Sequence, residues 1–142
     1  MKQVNQTICN FDQGNCMQAC VASIFELPLD KVPNFMFKGP DSYYKKLDDW
    51  CEKSGLICLD VNIKHLSVIK DCYVIVYGES PRDRNYNHAV IYYNGKMIHD
   101  PNPDKKGIVG KPECLSVFII KDPSNYSKII KGEKACNYKT FI

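Results

Sequence analysis

Three residues in this sequence have the types and the setting to do covalent chemistry together: Cys16, His88 and Asp100. A thiol nucleophile needs a proton acceptor, a group that orients the acceptor, and donors for the oxyanion that forms on the attacked carbonyl. Cys16 follows Asp12-Gln13-Gly14-Asn15, a turn-rich run ending in a residue that favours the helix N-cap. A thiol in the first turn of a helix feels the aligned backbone dipoles, which favour its thiolate. His88 opens the strand-like run His88-Ala89-Val90-Ile91-Tyr92-Tyr93, and Asp100-Pro101 closes the next run. In this pattern Cys16 is the nucleophile and His88 the base. Asp100 fixes the imidazole tautomer and supports the imidazolium. The Cys16 backbone N–H and one side-chain amide would hold the oxyanion.

The triad requires His88 and Asp100 to share a face of a hairpin, and the turn at Asn94-Gly95 decides whether they do. A two-residue turn pairs Tyr93 with Lys96 and sends Asp100 to the face opposite His88. A three-residue Tyr93-Asn94-Gly95 loop with a glycine bulge pairs Tyr92 with Lys96 and puts His88 directly opposite Asp100. The sequence reading therefore expects the three-residue loop.

The elements that must carry these residues follow from periodicity and punctuation. A helix is expected from Cys16 to about Leu27, with Cys16, Ala19, Cys20, Ser23, Ile24 and Leu27 on one buried stripe and Pro28 as its stop. A second is expected from Ser42 to Lys53, ended by Gly55. Strands are expected at Leu56 to Val61, Cys72 to Gly78, His88 to Tyr93, Lys96 to Asp100 and Leu115 to Lys121. Residues 78–87 and 101–112 read as loops, and 122–142 as a lysine-rich C-terminal tail of a single domain spanning 1–142. Helices first and antiparallel strands afterwards define an α+β domain.

Composition narrows the function classes. The chain has 142 residues, 44% apolar and 25% charged, with a formal charge of +3. Its lysines are scattered, so no nucleic-acid partner is expected. Neither a signal peptide nor a stretch of about 20 apolar residues is visible, so no membrane partner and a cytoplasmic location are expected. The eight cysteines should then be free thiols, most of them small core residues such as Cys58 and Cys72. A zinc site could be drawn only from Cys16 and Cys20 with His65, His88 or His99. Structural zinc uses paired short-spaced ligands and no CxxC occurs, so no metal or other cofactor is expected. His99 alternates away from Asp100 and reads as structural, and His65 as solvated. Tyr43, Tyr44, Tyr86 and Tyr92 are candidates to line a cleft. The loop before His88, with Arg82, Asp83 and Arg84, is a candidate selector of acidic groups.

The run Gly14-Asn15-Cys16-Met17-Gln18-Ala19-Cys20-Val21-Ala22-Ser23, followed by Val32-Pro33-Asn34-Phe35 and later by His88-Ala89-Val90 and His99-Asp100-Pro101, resembles small papain-fold cysteine peptidases of bacteria and phages. It is similar to the double-glycine leader peptidases. The resemblance covers residues 4–121 in element order. It implies a papain-like fold and the same Cys16, His88, Asp100 triad. In that family the oxyanion glutamine precedes the cysteine by six residues, where this chain has Asn10. Gln6 and Gln13 are the nearby glutamines, and Gln6 is favoured as the residue completing the site.

Two functions compete on these residues. The favoured one is a cysteine-dependent hydrolase or acyl transferase acting on an amide, peptide, isopeptide or thioester bond. The alternative is a papain-fold binding protein that sequesters a peptide or a small signalling molecule, such as a phage inhibitor of host defence.

Overall fold

The computed structural model describes residues 1–124. The expected tail therefore lies, from residue 125 on, outside the described residues.

Helix α1 (Cys16–Ile24) starts where the turn residues predict. It is buried on all sides from Met17 to Ser23, not along one stripe. Its sequence explains this, because Cys-Met-Gln-Ala-Cys-Val-Ala-Ser-Ile carries no charged side chain to keep any face in water. The Gln18 side chain is satisfied inside the fold by donating Nε2 to Leu29 O and Val32 O. The helix ends before Leu27, since Phe25 is its C-cap and Glu26 takes a left-handed φ of 56°. Helix α2 (Tyr43–Lys53) buries Leu47 and Cys51 and stops at Ser54-Gly55, where Gly55 has φ 67°. Trp50 anchors it, tilted against Phe25 and edge-on to Phe35 with ring centroids 5.9 and 6.3 Å away.

Five strands form one antiparallel sheet: β1 (Leu56–Asn62), β2 (Tyr73–Glu79), β3 (Asn87–Tyr93), β4 (Lys96–His99) and β5 (Val109–Ile120), in the order β1-β5-β2-β3-β4. The chain is thus α+β, as its element order predicts. Residue alternation sorts the sheet into two faces. Leu56, Ile75, Ala89 and Ile91 join Met17, Cys20, Val21 and Leu47 under the helices. Val74, Val76, Val90 and Leu115 form the second cluster, covered by Ile63, Leu66 and Ile69. Each such fully buried aliphatic side chain contributes about 1.5–3 kcal/mol.

Strand β5 is longer than its apolar run suggests. It pairs Glu79 with Val109 and Tyr77 with Cys114, with an irregularity between them. Gly110, at φ 69°, and Pro112 lie in that irregular stretch, so residues that read as loop are in fact a distorted strand. Cys72, expected in the core, is exposed just before β2, and Cys58 is half-buried. The described cysteines are all free thiols. Among the described residues no helix is long and apolar enough to cross a membrane.

Candidate active site

The β3–β4 hairpin differs from the sequence expectation in its turn and reaches the same result by another route. Tyr93 pairs with Lys96 and Tyr92 with Met97, so Asn94-Gly95 is a two-residue turn. Both turn residues have positive φ, 48° and 77°, which matches the twist of the flanking strands. The three-residue loop is therefore corrected. The register then shifts, because Ile91 pairs with His99 and Ile98 is left as an extra residue on β4. One inserted residue flips every later side chain to the other face. Asp100 thereby arrives on the same side as His88.

The two side chains meet at 2.7 Å, His88 Nε2 to Asp100 Oδ1, both buried. The Asp100 carboxylate is held from several directions. Oδ1 also accepts from the Asn102 N–H at 2.8 Å, and Oδ2 accepts from the Gly107 N–H at 2.7 Å. Arg82 Nη2 approaches Oδ2 at 3.7 Å. Gly107, at φ 70°, lets the loop curl back so that its N–H faces the carboxylate. Burial alone would raise the Asp100 pKa, but the His88 bond and these backbone donors hold it below the usual carboxylate value.

His88 uses Nε2 on Asp100, which leaves Nδ1 free to face the cavity that Cys16 also lines. Burial disfavours the imidazolium, yet the bonds to Asp100 and Cys16 and the negative charge of both raise the ring to about 9. Burial likewise opposes the Cys16 thiolate. The His88 hydrogen bond and charge, with the Ala89 and Met17 backbone N–H groups, outweigh it and draw the thiol below its ordinary 9.0. Cys20, one turn on, is fully buried, and burial pushes its thiol well up. It donates to Ala89 O at 3.5 Å and stays neutral packing.

The N-terminal segment brings Gln6 into the site. Its backbone N–H donates to Pro101 O at 2.9 Å, tying it beside the Asp100 loop. Asn15 does not cap α1 with its side chain as expected. Its Oδ1 instead accepts from the Thr7 and Ile8 N–H groups at 3.0 and 2.8 Å, and its Nδ2 donates to Gln18. The buried Asn15 amide thus pins residues 7–8 against the start of α1. Gln6 Nε2 donates one hydrogen to Ile8 O and keeps a second, while Oε1 has no partner among the described residues. Gly14 has a packing role in this loop. A Cβ there would lie 2.5 Å from Asn10 O, so the missing side chain makes room for the loop's own carbonyl, not for substrate.

Cys16 and His88 open into a cavity of about 400 Å³. Gln6 and Asn10 line it and Gln13 does not, while Cys16 presents its backbone N–H at the first helical position, where no earlier turn supplies an acceptor. Tyr43, Tyr44 and Tyr86 line it as expected, whereas Tyr92 packs in the second core cluster. Phe11 stacks on Tyr86 at 4.5 Å on the cavity wall. Arg82 also lines the cavity, but its guanidinium is engaged by Asp104 and Asp100, so it is not a freely offered cation. His99 is buried on Val4 O at 2.9 Å, and His65 is exposed. Sequence reasoning missed Asp60 and Tyr77 in the cavity lining, and Ser116, which bonds both. Their shared face exists only once β1, β5 and β2 are paired. No group of three or more His, Cys, Asp or Glu among the described residues is arranged to hold a metal.

No protein-family model matches this sequence, and no characterised protein or solved structure matches it significantly.

Proposed function

We propose that this chain is a cysteine-dependent hydrolase or acyl transferase of papain-like architecture, acting on an amide, peptide, isopeptide or thioester bond. The single observation that carries the reading is the imidazole of His88, held by the buried Asp100 carboxylate at 2.7 Å on the cavity that Cys16 also lines. Cys16 drawn down and His88 raised to about 9 both favour the proton on the ring. In this reading the resting pair is a thiolate and an imidazolium.

In this mechanism the Cys16 thiolate adds to the substrate carbonyl, and the oxygen takes the electron pair of the C=O bond. The Cys16 N–H and the second Gln6 Nε2 hydrogen are the donors that would receive that charge. The tetrahedral adduct collapses, the bond to the leaving amine or thiol breaks, and imidazolium gives it a proton. Water or an acceptor amine then attacks the thioester while neutral His88 takes its proton. Cys16 leaves as thiolate, and the imidazolium is restored. Asp100 stays ionised throughout and keeps the ring oriented.

The test is the alkylation rate of each cysteine across about pH 5 to 9, in the wild type and in His88→Ala. Cys16 is expected to react fast below the ordinary thiol range and to lose that advantage without His88. Reactivity equal to that of the other thiols would sink the enzyme reading. The aromatic wall around Phe11 and Tyr86 favours one second reading, sequestration of a peptide or small signalling molecule. That reading would be preferred if Cys16→Ala kept the protein's biological effect.

A further inference from the structure

The half of the cavity facing α2 is chemically different from the half around Gln6 and Arg82. Its wall is built from Met17, Met36, Leu47 and the rings of Tyr43 and Tyr77, and the carboxylate of Asp60 also lines it. Asp60 stands on β1 opposite Ser116 of β5, which in turn lies beside β2. The side chains form a chain of hydrogen bonds. Tyr77 bonds Ser116 Oγ at 2.9 Å, and Ser116 donates to Asp60 Oδ1. Tyr77 also reaches Met17 Sδ at 3.2 Å, which fixes its ring along the wall. Burial pushes both tyrosines up, so their hydroxyls remain neutral.

Asp60 is therefore oriented by one bond and left with acceptor capacity. Among the described residues no lysine, arginine or histidine forms an ion pair with it. Among the described residues it is the one carboxylate lining the cavity. An apolar wall leading from the nucleophile to one unneutralised carboxylate suits a group with an aliphatic stem and a cationic tip. The stem covers methionine and tyrosine surface, and the tip exchanges water for Asp60.

We propose that this wall is a specificity subsite for a lysine or arginine side chain of the acyl donor, with Asp60 as the charge that recognises it and Ser116 as its positioning residue. The inference rests on the acyl-transfer reading of Cys16. It names the substrate class, a peptide with a basic residue beside the attacked carbonyl.

Peptidyl chloromethyl ketones that differ only in one side chain, lysine, norleucine or glutamate, test it. Each alkylates Cys16, chloride leaves, and intact mass gives the rate; iodoacetamide serves as a probe with no side chain. In the wild type the lysine reagent should react about tenfold or more faster than norleucine, and glutamate slowest. Asp60→Asn should bring the ratio of the lysine rate to the norleucine rate close to one. Ser116→Ala should weaken the lysine advantage without abolishing it. The wild-type comparison decides even if a variant folds poorly. Equal lysine and norleucine rates on a Cys16 that reacts fast with iodoacetamide would overturn the subsite and leave the catalytic reading standing. A Cys16 slow toward iodoacetamide as well would overturn both.

Discussion

His88 Nε2 and Asp100 Oδ1 lie 2.7 Å apart because β4 contains one residue more than its hairpin register needs. Without the bulge at Ile98 the two-residue turn would pair Asp100 with Ala89 and aim its carboxylate away from the ring. The alignment of the two side chains is thus set by backbone register, and the loop donors Asn102 and Gly107 lock it.

Replacing the carboxylate tests what that alignment does. Asp100→Asn keeps the size of the side chain and removes the charge that helps raise His88 to about 9. The imidazolium should titrate closer to its ordinary 6.5. The thiolate population at pH 7 then falls, and Cys16 alkylation there should slow by about tenfold or more. The upper limb of the pH–rate profile should move from about 9 toward neutrality. A profile that keeps its upper limb would show that Asp100 orients nothing of consequence.

The oxyanion assignment has its own readout. Peptide aldehydes add Cys16 to form a hemithioacetal whose oxygen occupies the oxyanion position, while iodoacetamide forms no such centre. Gln6→Ala should weaken aldehyde inhibition by about tenfold or more and leave the iodoacetamide rate alone. Asn10→Ala and Gln13→Ala should change neither. Loss of aldehyde affinity in Asn10→Ala, with Gln6→Ala unaffected, would transfer the role to the residue six before the nucleophile.

Much of this site was legible because its signals are local. The start of α1 at Cys16, the strand opening near His88 and the stop at Asp100-Pro101 each depend on a few adjacent residues. The turn at Asn94-Gly95 was not read correctly, since a dipeptide signal cannot report a bulge three residues later. The side chain of Asn15 went to Thr7 and Ile8 instead of the helix N–H groups, a choice set by how the preceding loop folds back. Asp60 and Ser116 are 56 positions apart, and only the pairing of β1 with β5 makes them neighbours. The first half of β5 was hidden by Gly110 and Pro112, which mark a loop in sequence and an irregular strand in space.

Gly14 offers a stability test of the loop that carries Gln6. The close approach of Asn10 O leaves no room for a methyl group, so Gly14→Ala must push the carbonyl and the loop away. Overpacking of this kind costs about 1–3 kcal/mol. A fall of roughly 5 °C in Tm is expected, with slower aldehyde binding as Gln6 moves. An unchanged Tm would mean that the 8–14 loop relaxes freely and does not position the site.

The Cys16–His88 pair also dictates how stability depends on pH. His88 titrates near 9 in the fold against 6.5 unfolded, so its contribution is complete below pH 6.5 and is lost as pH rises through about 9. Cys16 has the opposite sign. Its lowered pKa gives a contribution complete above 9.0 and lost as pH falls through its folded value. Between 6.5 and 9 the two contributions have opposite slopes and offset each other, so wild-type stability from urea melts should change little across this window. Cys16→Ser removes the titrating thiol and unmasks His88, still raised by Asp100. Its stability should fall by roughly 1 kcal/mol or more from pH 6.5 to 9. Parallel flat curves for wild type and Cys16→Ser would mean that His88 is neutral in the folded protein, and that the nucleophile is a thiol awaiting activation and not a preformed ion pair.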